Sequence, residues 1–139
     1  MIVRPAEARD VPALAALAGE LGYPTSADEM ARRLAGLDDR DAVFVAEHEG
    51  ACVGWIQVSI VESLESGRFA EIRGLVVAEA QRSGGVGAAL VAAAEEWARV
   101  KLCARIRVRS NVVRERTHRF YERLGYRVVK SQKVFDKVW

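Results

Sequence analysis

The sequence has few of the residues that mark several large classes of protein. It contains two cysteines, Cys52 and Cys103, and no CxxC pair. This usage argues against a disulfide framework and against a zinc site, so no metal is expected. No apolar run approaches the roughly 18 residues that a membrane-spanning helix needs. The first ten residues also lack the apolar core of a signal peptide. We therefore expect a cytoplasmic protein that does not bind membranes.

What remains is the composition of an ordinary globular protein. Half of the 139 residues are hydrophobic and 29% are charged, which suits a chain with one packed core. No internal repeat or low-complexity segment divides the sequence. Residues 1–139 are therefore expected to form a single domain.

The most informative stretch is residues 71–90, which predicts a strand ending near Val77 and then a glycine-rich turn that opens into a helix. Arg82, Gly85 and Gly87 have the spacing R-x-x-G-x-G. Glycines at a helix start let a ligand approach the backbone, and the first N–H groups of a helix are unpaired. Together with the helix dipole, these donors favour an anion such as pyrophosphate. The alternative is a plain connection between a strand and a helix.

Two common nucleotide motifs do not fit this turn. The dinucleotide fingerprint G-x-G-x-x-G needs a third glycine where Leu90 stands. The phosphate-binding P-loop needs a lysine after its glycines, and none follows here.

Three segments, in this order, resemble the GNAT family of N-acetyltransferases: Phe69–Val77, the R-x-x-G-x-G-A turn at Arg82–Ala88, and the helix–strand junction at Arg119–Val129. The resemblance implies an enzyme that transfers an acetyl group from acetyl-CoA to a primary amine by direct attack in a ternary complex. It also implies an α/β (α+β) fold. That fold has a mixed, mostly antiparallel central sheet of six to seven strands, splayed at the acetyl-CoA site, with helices on both faces.

The resemblance also assigns residues to acetyl-CoA. Leu75 would donate its N–H to the acetyl oxygen, and Val77 would pair with the pantetheine arm as an added strand. The residues expected to bind the co-substrate are Leu75, Val76, Val77, Arg82, Ser83, Gly84, Gly85, Val86, Gly87, Ala88, Asn111, Arg114 and His118.

Two side chains are candidates for the chemistry. Tyr121, in FYERLGY, would give a proton to the leaving thiolate; the alternative is an amphipathic tyrosine of the core. Glu71, in FAEI, would take the amine proton directly or through water. Its alternative role is a salt bridge with Arg73, two residues along the same strand.

The third segment departs from the family at one position. Many members have an asparagine seven residues before the acid tyrosine, where this chain has Arg114. Arg114 could contact a CoA phosphate instead, since arginine suits bidentate phosphate contacts. Asn111 could serve only as a helix cap. His118 could contact the co-substrate or assist proton transfer, and its alternative is a surface or half-buried histidine.

The first half of the chain predicts a helix preceded by the capping residue Asp10. A second helix follows with a capping box at Ser26 and Glu29. In the resembled family this region borders the acceptor, so Tyr23 could contact substrate or be buried. Beyond the third segment, residues 126–130 and 134–138 are expected to be the closing strands of the sheet.

The charge is distributed unevenly, and it leaves other functions open. Residues 1–100 have nine Lys and Arg against sixteen Asp and Glu, whereas residues 101–139 have twelve against three. A basic segment suits nucleic acid, but no nucleic-acid motif is present. A solvated face, or binding of the three phosphate groups of coenzyme A, explains the positive charge better. We therefore expect no nucleic-acid partner.

A non-catalytic acyl-CoA-binding module of the same fold remains the alternative function. The acceptor is a small-molecule or peptide amine whose identity the sequence does not reveal, and a homodimer is left open.

Overall fold

The computed structural model describes residues 1–82, 84–110 and 115–139. The chain divides into two compact units, Met1–Val108 and Arg109–Trp139. The first unit contains one sheet and three helices. Its elements are β1 (Ile2–Pro5), α1 (Val11–Glu20), α2 (Ala27–Ala35), β2 (Asp41–His48), β3 (Ala51–Ser63), β4 (Gly67–Val77), α3 (Val86–Val100) and β5 (Ile106–Val108).

The sheet has five strands in the order β1-β2-β3-β4-β5. The first four strands are antiparallel to their neighbours, and β5 pairs with β4 in parallel. A mixed, mostly antiparallel sheet is therefore confirmed. The expected count of six to seven strands is wrong, because the described residues form five.

The turn between β2 and β3 follows directly from its two residues. Glu49 and Gly50 have φ values of 51° and 80°, and two positive values in succession suit the tight turn of a two-residue hairpin. Further along β3, Gly54 allows close packing of the sheet. A Cβ at this position would come within 3.1 Å of Leu90 and 3.2 Å of Val86, both on α3. Gly54 therefore points to the face of the sheet that α3 covers.

The start of the chain is held by an ion-pair network. The guanidinium of Arg4 donates to both carboxylate oxygens of Asp10, at 2.8 and 2.9 Å, and to Glu47 at 3.0 Å. Asp10 is buried, and chiefly its hydrogen bond with Arg4 lowers the pKa of its carboxyl group. Asp10 directly precedes α1 but its side chain does not cap that helix. It accepts instead from Arg4 and from the backbone N–H of Glu7. The capping box of Ser26 and Glu29 is confirmed at the start of α2.

The second unit contains α4 (Glu115–Arg123). The helix ends in a Schellman motif. Gly125 has φ of 93° and donates to the carbonyl of Glu122, while Tyr126 donates to the carbonyl of Tyr121, both at 3.0 Å. Gly125 is therefore the glycine that caps the C-terminus of α4.

The two closing strands expected after α4 are not formed. Residues 126–139 have no regular secondary structure. Large apolar side chains in this segment are exposed, among them Val134, Phe135 and Trp139. β-branched and aromatic residues such as these suit a strand. A strand nevertheless exists only where a neighbouring strand accepts its hydrogen bonds, and within the described residues no strand pairs with this segment.

Candidate active site

The regular pairing of β4 with β3 is interrupted near the centre of β4, close to the residues that the sequence assigns to the chemistry. The register with β3 shifts so that Val58 pairs with Ile72 and Gln57 pairs with Gly74. Arg73 is thus an extra residue, a β-bulge, which bends a strand and increases its local twist. The pairing of β4 with β5 ends at the same place, with Ile72 opposite Val108.

Beyond the bulge, one side of β4 is left open. Ala78 donates to the carbonyl of Val53 at 2.8 Å, which sets the phase of the β3–β4 hydrogen bonds. Because these bonds alternate along an antiparallel pair, the N–H of Val76 points toward β3. The N–H groups of Leu75 and Val77 point to the opposite side. Among the described residues of Met1–Val108, no strand pairs with β4 on that side beyond Ile72. We call this side of residues 75–77 the open edge.

The open edge leads directly into the glycine-rich turn. After Val77 the chain makes a short 3₁₀ turn over Glu79–Gln81, and Gly85 then precedes α3 in the left-handed conformation, with φ of 85°. Arg82 is exposed. At the start of α3, the backbone N–H of Ala89 donates to the carbonyl of Gly85 at 3.0 Å. The N–H groups of the first helical turn therefore have no intrahelical partner.

The remaining residues expected at this turn have different surroundings. Gly84 is exposed, Val86 is buried in the core, and Gly87 and Ala88 are half-buried in the first turn of α3. Ser83 lies outside the described residues. The strand, turn and helix predicted from residues 71–90 are present in that order.

Glu71 is a buried carboxylate on β4. Its side chain is 5% exposed and forms an ion pair with Arg73 Nη1 at 2.5 Å. The side chain of Arg73, in contrast, is 47% exposed. The salt bridge considered from the sequence is therefore present, while a role of Glu71 as a base stays a prediction.

Two residues beside Glu71 were not anticipated as part of a site. Ser59 on β3 lies directly opposite Glu71, and Arg107 on β5 lies opposite it on the other side. Ser59 is buried and donates its hydroxyl hydrogen to Asp41 on β2. In the sequence, Ser59 is a polar residue between Val58 and Ile60, and this was the available signal. The strand register that places Ser59 opposite Glu71 cannot be obtained from the sequence.

Tyr121 lies on α4 and is 7% exposed. Its ring packs edge-on against Phe120 and Tyr126, with ring centres 5.0 and 5.5 Å away. Burial raises the pKa of Tyr121 to about 12. Among the described residues, none forms a hydrogen bond with its hydroxyl. The phenol is therefore protonated at neutral pH and has a donor that the described structure does not use.

The other predicted residues are placed as follows. His118 is half-buried on α4, one turn before Tyr121. Asn111 and Arg114 lie outside the described residues. Tyr23 is 62% exposed, so the alternative of a buried tyrosine at this position is wrong.

Several other features of the described residues bear on function. Two surface grooves, of about 420 and 600 Å³, lie along α2, and neither is lined by a residue predicted to bind acetyl-CoA. Neither groove includes the open edge, so we base the candidate site on its backbone geometry. Within the described part of the chain, no group of three metal-ligating side chains is found. None of the helices described is both long and apolar enough to cross a bilayer.

Comparison with protein families agrees with this geometry. The sequence model described as the acetyltransferase (GNAT) family matches residues 11–126, which include the open edge, the turn and α4. The chain belongs to the GNAT acetyltransferase family. No curated protein matches its sequence.

Solved structures show the same GNAT fold. A protein of Agrobacterium tumefaciens assigned as an acetyltransferase is 25% identical, with a TM-score of 0.87. The match covers 99% of this chain and 100% of that one. An acetyltransferase of Trypanosoma brucei is 29% identical, with a TM-score of 0.79, over 98% of this chain and 99% of that one. The aminoglycoside N-acetyltransferase AAC(6′)-Iy, solved in complex with CoA, shares the fold at 20% identity. Its TM-score is 0.85, over 99% of this chain and 100% of that one.

Proposed function

We propose that this GNAT protein is an acetyl-CoA-dependent N-acetyltransferase that acts on a primary amine by direct attack in a ternary complex. One observation carries the proposal. The open edge of β4 continues, through a single 3₁₀ turn, to the start of α3, whose first N–H groups have no intrahelical partner. This segment offers one extended ligand both a strand edge and an anion site.

The residues present fit acetyl-CoA as the co-substrate. The N–H groups of the first turn of α3, with the positive end of the helix dipole, suit the pyrophosphate. The left-handed Gly85 keeps the backbone accessible there, and the exposed Arg82 adds a full charge. The N–H of Val77 would pair with an amide of the pantetheine arm. The N–H of Leu75 would lie at the thioester oxygen, where a single donor is typically worth about 3 kcal/mol to the transition state.

The proposed chemistry needs two proton transfers. Acetyl-CoA supplies the thioester. Glu71 would take a proton from the attacking amine, and Tyr121 would give its proton to the departing sulfur. With a pKa of about 12, the phenol of Tyr121 is protonated at neutral pH, as it must be to give up a proton.

The experiment that tests the proposal measures two quantities on the same preparation. Calorimetry reports the binding of acetyl-CoA, and a thiol reagent reports CoA release during incubation with a panel of primary amines. We expect binding together with amine-dependent release of thiol. Binding without release from any amine would favour the non-catalytic acyl-CoA-binding module. Failure to bind would refute both functions.

A further inference from the structure

A row of charged side chains crosses the sheet on the face opposite α3. Gly54 points toward α3, and Ser59, five residues further along β3, therefore points to the other face, since side chains alternate along a strand. Glu71 and Arg107 follow in register on β4 and β5. Residues directly opposite each other share a face, so Glu71 and Arg107 are neighbours there.

Arginine is concentrated on this part of β4 and β5. The guanidinium carbons of Arg105 and Arg107 lie 4.7 and 4.8 Å from the centre of the Phe69 ring. Stacking on an aromatic ring fixes a guanidinium while leaving the donors at its edge available. Arg105 uses one of its donors on the carbonyl of Ser66. Arg107 has no hydrogen-bond acceptor among the described residues.

Arg73 adds a second cation with unused donors. The bulge places it next to Glu71, to which it donates from Nη1, and 47% of its side chain is exposed. No other hydrogen-bond acceptor of Arg73 is found within the described part of the chain. Glu71 thus has the guanidinium of Arg73 beside it, and Arg107 lies opposite it on β5.

These arginines are at the wrong end of β4 to serve the phosphates of acetyl-CoA. Arg73 precedes Val77 by four residues, which corresponds to about 13 Å along a strand, and the turn begins only after Val77. The proposed thioester position at Leu75 lies between the two. Arg73 and Arg107 are therefore on the acceptor's side of the reacting atoms.

We propose that the acceptor is an amine that also carries an anionic group, a carboxylate or a phosphate, and that Arg73 and Arg107 bind this group beside Glu71. The inference rests on the proposed N-acetyltransferase function. Arginine suits both anions because its planar fork makes paired, charge-assisted hydrogen bonds. Nearby cations also favour the neutral form of the amine, which is the form that attacks.

The reaction balances with the residues already named. The amine nitrogen forms a bond to the acetyl carbon while the C–S bond breaks. The proton lost by the nitrogen passes to Glu71, and the sulfur receives the proton of Tyr121. Arg73 and Arg107 bind the acceptor and exchange no proton.

The test compares acceptors in matched pairs. Phenylalanine with phenethylamine and lysine with cadaverine differ by a carboxylate, and glucosamine 6-phosphate with glucosamine differ by a phosphate. We expect kcat/KM to be about tenfold higher or more for the acid-bearing member of at least one pair, the usual range for hydrogen bonds to a charged group. The pair that shows the effect identifies the anion.

Variants then assign the effect to the arginines. Arg107→Gln should reduce the advantage of the acid-bearing member to about twofold or less, mainly through KM, and Arg73→Gln should do the same. The matched control is Arg99→Gln, because Arg99 is an exposed arginine of α3; it should leave the ratio unchanged. If Arg73→Gln does not fold, the result for Arg107→Gln decides.

Two outcomes would overturn the inference, and they are distinguishable. Thiol release that is equal or faster with the plain amines, or a ratio that Arg107→Gln does not change, refutes the anionic acceptor and leaves the acetyltransferase function intact. Absence of thiol release with every amine refutes both.

Discussion

The phenol of Tyr121 is buried, and no described residue forms a hydrogen bond with its hydroxyl. If Tyr121 served only for packing, its replacement by phenylalanine would leave kcat unchanged. We therefore expect Tyr121→Phe to lower kcat by about 10²–10⁴-fold, the usual range for loss of a general acid. Acetyl-CoA affinity should stay nearly constant. Steady-state kinetics and calorimetry check this, and a variant with unchanged kcat would show that the thiolate leaves without Tyr121. His118, one turn away, would then be the next residue to replace.

Because its pKa is raised on folding, Tyr121 should also make the free energy of unfolding depend on pH. The phenol titrates near 10 when unfolded and at about 12 when folded. Between these values the unfolded state binds fewer protons, so stability is present below pH 10 and falls as the pH rises toward 12. The wild type should lose about 2–3 kcal/mol more over this range than Tyr121→Phe. Denaturant unfolding at the two pH values measures the difference.

Glu71 forms an ion pair with Arg73, so an experiment has to distinguish a role as base from a purely structural role. Glu71→Gln keeps the shape and removes the base. If Glu71 takes the amine proton, the rate should fall most at low pH, where the amine depends most on help in losing its proton. The affinity for acetyl-CoA should hardly change. A pH–rate profile with the same shape as that of the wild type would reduce Glu71 to a structural partner of Arg73.

At the scale of an element, the start of α3 is where we expect the pyrophosphate of acetyl-CoA to bind. Gly87→Glu places a carboxylate among the N–H groups of the first helical turn, and like charges in contact cost several kcal/mol. We expect CoA affinity to fall by about 100-fold or more, measured by calorimetry. The matched control is Gly19→Glu in α1, an exposed helical glycine with no atom within 4 Å of an added Cβ. Equal affinity in a folded Gly87→Glu protein would rule out the pyrophosphate site.

The elements differ in how far the sequence predicts them. The capping box at Ser26, the hairpin turn at Glu49–Gly50 and the C-cap at Gly125 each depend on a few consecutive residues, and all three are present. The bulge at Arg73 and the early end of the β4–β5 pairing could not be located from the sequence. A register shift depends on two strands at once, and residues distant in the chain decide it.

Charge is the property that belongs to the molecule as a whole. Residues 101–139 have a large excess of basic residues, which would suit nucleic acid if charge alone decided binding. We expect no complex with duplex DNA or with single-stranded RNA in a gel-shift experiment near 0.15 M salt, since contacts to phosphates alone weaken steeply with salt. A discrete complex that survives this concentration would contradict the expectation and add a partner to the acetyltransferase.

Taken alone, the sequence determined the family, the glycine-rich turn and the residues that are candidates for the chemistry. These depend on short motifs such as R-x-x-G-x-G, whose glycines adopt backbone conformations that other residues avoid. Only the tertiary structure decided which N–H groups of β4 lack a partner among the described residues of Met1–Val108, that Glu71 is buried beside Arg73 and opposite Arg107, and that residues 126–139 form no strand. The reason is physical: strand pairing, register and burial arise between segments far apart in the chain, and a strand-like pattern forms a strand only where another strand meets it.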